Sequence, residues 1–132
     1  MSEVLADTSY YVALLSPRDQ HHAAAKKIAS ELRRPIVVTE FVLLELANAY
    51  SATESRRRLP ALWDFLRSEP TVSIVSASSE LLARGFSRFV DRLDKEWSLT
   101  DCISFMVMEE RGITEALSSD HHFEQAGFTI LF

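Results

Sequence analysis

A single cysteine, Cys102, leaves this chain without an internal disulfide. That excludes the disulfide-stapled secreted folds and fits a reducing compartment. Glycine and proline are scarce, 3 and 4 among 132 residues, so collagen-like and disordered classes are excluded as well. Positive charge is in deficit: the formal net charge is −5 at pH 7. A strongly basic nucleic-acid-binding surface is therefore missing from the total. Net charge sums over faces, however, and a cluster of catalytic acids would itself subtract several units. Arg33–Arg34, Arg56–Arg58 and Arg67 leave local basic patches. The opening stretch MSEVLADTSYYVALL has no basic n-region and carries Glu3 and Asp7 inside its apolar run. It reads as neither signal peptide nor membrane span, and the expectation is a soluble cytoplasmic protein with no membrane partner. No repeat or low-complexity tract divides the chain, and its length suits one domain over residues 1–132.

What is present is an alternation of short β-branched runs with longer amphipathic stretches. Glu3–Ala6, Ile36–Val38, Thr71–Val75, 113–117 and 128–132 read as strands. Helices are expected over 8–15, with Thr8 or Ser9 as cap, over Gln20–Leu32, and over Glu40–Tyr50 behind Thr39. Further helices follow Pro60, follow Ser78 over 79–93, and fill Leu99–Ile113 with a stop at Gly112. SATESRRR reads as a charged link, and residues 121–125 as a turn or short helix. In the 79–93 helix Leu82, Phe86, Phe89, Val90 and Leu93 share one side, with Arg84 and Arg88 elsewhere. The succession is that of an α/β protein with a mostly parallel central sheet, helices on both faces and right-handed crossovers.

Four acids stand at the places such a sheet reserves for function. Asp7 and Asp120 follow strands, Asp101 opens a helix, and Glu45 interrupts the apolar run of another. If the strands are parallel, all four gather at one edge of the sheet. Crowded carboxylates repel one another and take up protons unless a cation compensates. A hard divalent ion, Mg²⁺ or Mn²⁺, is the simplest compensator, and phosphodiester hydrolysis is the chemistry it opens. Each acid also has a plainer account: Asp101 as a helix cap, Glu45 as half of a salt bridge, Asp7 and Asp120 as turn starters.

Other residues are candidates for supporting roles. Glu40, next to Thr39, competes with Glu45 as a capping acid or outer ligand. Thr100 reads first as the cap of its helix, and Ser98 or Thr100 as a partner for a carboxylate or phosphate. His122 stands near enough to Asp120 to touch substrate. The histidine pairs do not make a zinc site, since they lie on different segments and the cysteine is in an apolar helix. Arg56, Arg57 and Arg58 offer phosphate contacts or simply a solvated charge run. Tyr10, Tyr11 and Trp97 are candidates to stack a base or to fill the core. Leu59, Leu62, Trp63 and Phe65 offer either core packing or a partner surface.

The sequence resembles the PIN-domain family of metal-dependent ribonucleases, most nearly its VapC-like toxins. The likeness runs through ADTSYYVALL at 6–15, TEFVLLELANA at 39–49, SLTDCISFMVMEERG at 98–112 and ALSSDHHFEQAGF at 116–128. These segments carry Asp7, Glu45, Asp101 and Asp120 in the family's order, with Thr8 and Ser9 where hydroxyl residues commonly follow the first acid. Asp120 opens the D-x-H-F form of the last motif. The resemblance implies a three-layer α/β/α sandwich and Mg²⁺- or Mn²⁺-dependent endoribonuclease activity with the four acids as metal ligands. It also implies an RNA substrate, a homodimer and inhibition by a small antitoxin protein. A PIN nuclease of RNA processing without an antitoxin, and a catalytically silent binding scaffold, are the competing readings. A response-regulator-like domain is disfavoured because no lysine follows a late strand.

Overall fold

Short apolar runs become strands, and the amphipathic stretches between them become helices. The computed structural model describes residues 1–132. In chain order the elements are β1 (Val4–Ala6), α1 (Thr8–Leu15), α2 (His22–Glu31), β2 (Ile36–Thr39), α3 (Glu40–Ala49), α4 (Thr53–Arg56) and α5 (Leu59–Ser68). They continue with β3 (Val72–Val75), α6 (Ser79–Asp91), α7 (Leu99–Arg111), β4 (Glu115–Leu117), α8 (His121–Gln125) and β5 (Thr129–Ile130). The one-turn helix α4 lies where the charged link was expected, since TESR carries no apolar periodicity to announce it.

All four strand pairings are parallel, in the order β3-β2-β1-β4-β5. Parallel strands buried on both faces need apolar residues on both, and alternation supplies them. Val4, Ala6, Val38 and Leu117 face one core layer, with Tyr11, Leu43, Leu46 and Leu66 from α1, α3 and α5. Leu5, Val37 and Ala116 face the other, with Leu81, Phe105 and Phe123 from α6, α7 and α8 and Trp97 from the connection before α7. The result is three layers, α/β/α.

Helix α7 is the best anchored element. Cys102 through Met108 are buried without a break, and Phe105 meets Trp97, Phe123 and Phe128 in a cluster of rings. Gly112 closes it in the left-handed region at φ 68°, a conformation glycine adopts without a Cβ clash.

Helix α6 packs on α7 by a narrow face, Leu81 and Gly85. Its arginines flank that seam, with Arg84 paired to Glu110 and Arg88 to Glu109. The broader apolar side, Leu82, Phe86, Phe89 and Val90, is left exposed, as is Leu93 just beyond the helix.

Candidate metal centre

The chain runs from β1 outward to β2 and β3, then returns to lay β4 on the other side of β1. The strand order reverses between β1 and β4, and the crevice beyond their C-terminal ends is where open α/β sheets bind ligands. Asp7 follows β1 directly, and its N–H donates to Leu117 O at 3.1 Å. Asp120 follows β4 after Ser118 and Ser119. The two acids flank that crevice.

Three of the four acids are held at helix starts. Asp7 is itself the cap of α1, displacing the expected Thr8 or Ser9: its carboxylate accepts from Ser9 N–H at 3.4 Å and Ser9 Oγ–H at 2.8 Å. Asp101 is the third residue of α7, and the cap is Ser98, so Thr100 is not the cap. Ser98 Oγ accepts Asp101 N–H at 3.0 Å while Asp101 Oδ2 accepts Ser98 N–H at 3.1 Å, a reciprocal capping box. Asp120 caps α8 by accepting His122 N–H at 2.9 Å. Glu45 projects from the second turn of α3 and accepts from Thr8 Oγ1 at 2.5 Å.

One residue in this network escapes the motif reading. Ser118, fully buried, donates to Asp7 Oδ2 at 3.0 Å and accepts Asp120 N–H at 2.9 Å. A hydroxyl two positions before an acid at a strand end is the signal that would have found it.

The electrostatics are those of acids held close without a lysine or arginine partner. Burial pushes Asp7 up to about 6, and repulsion from Asp101 adds to it, against hydrogen bonds from Ser9 and Ser118. Burial likewise raises Asp101, with Asp120 adding repulsion and the Ser98 N–H and His122 opposing it. Thus Asp7, Asp101 and Asp120 are near neighbours, and Thr8 joins Glu45 to them. No lysine or arginine pairs with any of the four. At the opposite edge of the sheet the acids are neutralised: Glu3 pairs with Arg111 at 3.0 Å and Arg34 with Glu115 at 2.7 Å.

Carboxylate oxygens gathered without a lysine or arginine partner fit a divalent cation, and a group of Asp120, His121 and His122 has ligand atoms within 4.8 Å of one another. A groove of about 370 Å³ opens beside Glu45, walled also by Phe41, Leu44, Leu82, Leu99 and Thr100 among others.

Other candidates lie elsewhere. Glu40 accepts from Ala77 N–H at 2.6 Å and so ties the start of α3 to the segment after β3. Arg58 donates to Leu15 O at 2.7 Å and Arg56 to Ser51 O at 2.6 Å. Arg58 is therefore at the end of α1 remote from Asp7, about 10 Å along the helix. Tyr10, Tyr11 and Trp97 are at most 3% exposed, so base stacking is overturned for all three. The apolar layers claim the tyrosines, while Trp97 bonds Gln125 at 3.0 Å. In α5, Leu66 is buried while Trp63 and Phe65 are exposed.

The PIN-domain family model matches residues 4–129. The 23S rRNA-specific endonuclease VapC20 of Mycobacterium tuberculosis is 26% identical over 125 residues, 95% of each chain. The crystal structure of that organism's VapC20, described as a sarcin-ricin loop cleaving toxin, matches with a TM-score of 0.86 at 25% identity, over 97% of both chains. FitAcB from Neisseria gonorrhoeae shares the fold at a TM-score of 0.66 and 15% identity, over 98% of this chain and 96% of that one.

Proposed function

This chain belongs to the PIN-domain family, and from that premise we propose that it is a divalent-metal-dependent endoribonuclease, the toxin of a toxin–antitoxin pair. The observation that carries the proposal is the gathering of Asp7, Asp101 and Asp120 at the reversal of strand order, with no lysine or arginine paired to them.

Asp7, Asp101 and Asp120 would hold the ion, Mg²⁺ or Mn²⁺, and Glu45 would complete the acidic set from α3. A bound ion supplies Lewis acidity, which eases deprotonation of the attacking water and offsets charge on the phosphate and the leaving 3′ oxygen. The residues of this chain do the positioning. Ser9 and Ser118 fix the Asp7 carboxylate, the Ser98 capping box fixes Asp101, and Thr8 holds Glu45 toward the groove. Anchoring of α7 through Cys102–Met108 keeps Asp101 from yielding to the repulsion of its neighbours.

RNA is the proposed substrate class. VapC20 is a 23S rRNA-specific endonuclease, which makes 23S rRNA the first RNA to try. Arg56, Arg57 and Arg58 are assigned to outer phosphate contacts, remote from the cut. A second copy and a small antitoxin are the proposed protein partners. The exposed apolar faces of α6 and of Trp63 and Phe65 on α5 are where such partners find area to bury. No helix is long and apolar enough to cross a membrane.

The test is cleavage of purified 23S rRNA with Mg²⁺, with Mn²⁺ and with chelator, using wild type, Asp7→Asn and Asp101→Asn. Cleavage is expected from wild type with metal alone. Cutting that persists in chelator, or in either variant, sinks the mechanism.

A further inference from the structure

His122 is the side chain at the centre that the carboxylate account does not use. By capping α8 with Asp120, the chain turns the imidazole back over the acids. Its Nδ1 lies 3.3 Å from Asp101 Oδ2 and 3.4 Å from Asp120 Oδ1. One hydrogen bond accounts for half of this placement, between His122 Nδ1 and Asp101 Oδ2. Nδ1 carries at most one hydrogen, which can point at one oxygen, and both separations exceed the usual length of about 2.9 Å. Each oxygen also accepts one backbone N–H, Asp101 Oδ2 from Ser98 at 3.1 Å and Asp120 Oδ1 from His122 at 2.9 Å, and keeps a lone pair for a further partner.

The spacing has another meaning. Around an octahedral ion with bonds a little over 2 Å, adjacent ligand atoms stand about 3 Å apart. One nitrogen set between two carboxylate oxygens at 3.3 and 3.4 Å matches neighbouring positions of one coordination sphere. His121 does not share the arrangement, because its ring is 70% exposed and its Nδ1 lies 3.7 Å from Asp120 alone.

Resting on the metal-centre reading above, we propose that His122 Nδ1 is a nitrogen ligand of the ion held by Asp101 and Asp120, biasing the centre toward first-row transition ions such as Mn²⁺ over Mg²⁺. Mg²⁺ prefers oxygen ligands and keeps its waters, whereas imidazole suits the transition series, whose affinities rise from Mn²⁺ toward Cu²⁺. Ligation through Nδ1 leaves the ring proton on Nε2.

The experiment loads wild type, His122→Gln, His121→Gln and Asp101→Asn with Mn²⁺ in the absence of RNA. Pulsed EPR reads ¹⁴N coupling to the ion, and calorimetry compares Mn²⁺ with Mg²⁺ affinity. Nitrogen coupling is expected in wild type and His121→Gln and is lost in His122→Gln. There the Mn²⁺ affinity falls about tenfold while Mg²⁺ affinity changes less than about twofold. Absence of ¹⁴N coupling in wild type, its survival in His122→Gln, its loss in His121→Gln, or an equal loss of both ions overturns the proposal. Should His122→Gln fail to fold by circular dichroism, the wild-type coupling, its persistence in His121→Gln and a wild-type preference for Mn²⁺ still decide. A wild type that binds no Mn²⁺, or binding indifferent to Asp101→Asn, instead overturns the metal centre itself, and this proposal with it.

Discussion

Thr8 Oγ1 donates to Glu45 Oε1 at 2.5 Å, joining the first turn of α1 to the second turn of α3. Without that bond Glu45 is a flexible side chain at the rim of a groove; with it the carboxylate has one direction. A hydrogen bond to a charged group contributes about 1.5–3 kcal/mol, and about 1.4 kcal/mol is a factor of ten in rate. Thr8→Val keeps the shape and removes the donor. Cleavage is expected to slow about tenfold and the urea midpoint to fall, because the same bond contributes to folding, and Thr8→Ser is expected to restore both. Wild-type cleavage by Thr8→Val would show the contact to be incidental.

Asp7 carries a pH signature in metal-free protein. Its folded value of about 6 lies above the ordinary 3.8, chiefly because it is buried. Between those two pH values the native state keeps a proton that the unfolded chain releases, so the contribution of Asp7 to stability falls as pH rises. The total is on the order of 3 kcal/mol, present below about pH 4 and gone above about pH 6. In chelator, Asp7→Asn is therefore expected to match wild type near pH 4 and to exceed it at pH 7 in urea denaturation. Added Mn²⁺ is expected to stabilise wild type far more than the variant. A difference between the two proteins that does not grow between pH 4 and 7 contradicts the assignment.

Ser118 stands 111 residues from Asp7 in sequence and within hydrogen-bonding distance in space. Ser118→Ala removes the donor to Asp7 and leaves Asp120 N–H without its acceptor. The expected cost is about 1–3 kcal/mol, because the orphaned groups are buried or nearly so. Chemical denaturation in chelator measures it. A loss below about 0.5 kcal/mol, the range of an ordinary surface substitution, would mean that water replaces the hydroxyl.

Which parts of this arrangement were legible in the sequence follows from what local patterns encode. The order and type of nearly every element could be read because β-branched runs and apolar spacing differ between strand and helix. The edge of the sheet where Asp7 and Asp120 meet followed from parallel pairing alone. Caps were harder. Ser98, Thr100 and Asp101 can each end a helix, and only the backbone geometry selects Ser98. Thr39 and Ser78 had no such rivals and cap as expected. The apolar periodicity of α6 announces a face without saying what it meets. Leu82, Phe86 and Phe89 line that face and are exposed, because Gly85 lets α7 approach on the adjacent side. Ser118 carries no sequence signal strong enough to assign it, and Thr8 is a candidate auxiliary hydroxyl whose partner Glu45 is hidden by its distance in sequence.

That close approach is itself testable. A Cβ built on Gly85 would collide with Ile103 Cγ1 and crowd Ile103 Cδ1 and Leu99 Cδ1. Local propensity argues the other way, since alanine in a helix interior is favoured over glycine by about 0.8–1 kcal/mol. Packing should win because Ile103 is 1% exposed and sits in the cluster of Phe105 and Phe123, leaving its branched side chain little room to move. Overpacking costs about 1–3 kcal/mol. Gly85→Ala is therefore expected to lower the urea midpoint, and the paired variant Gly85→Ala with Ile103→Val to recover part of it. A more stable Gly85→Ala would mean that α6 moves freely on α7, and that the anchoring of Asp101 does not depend on this seam.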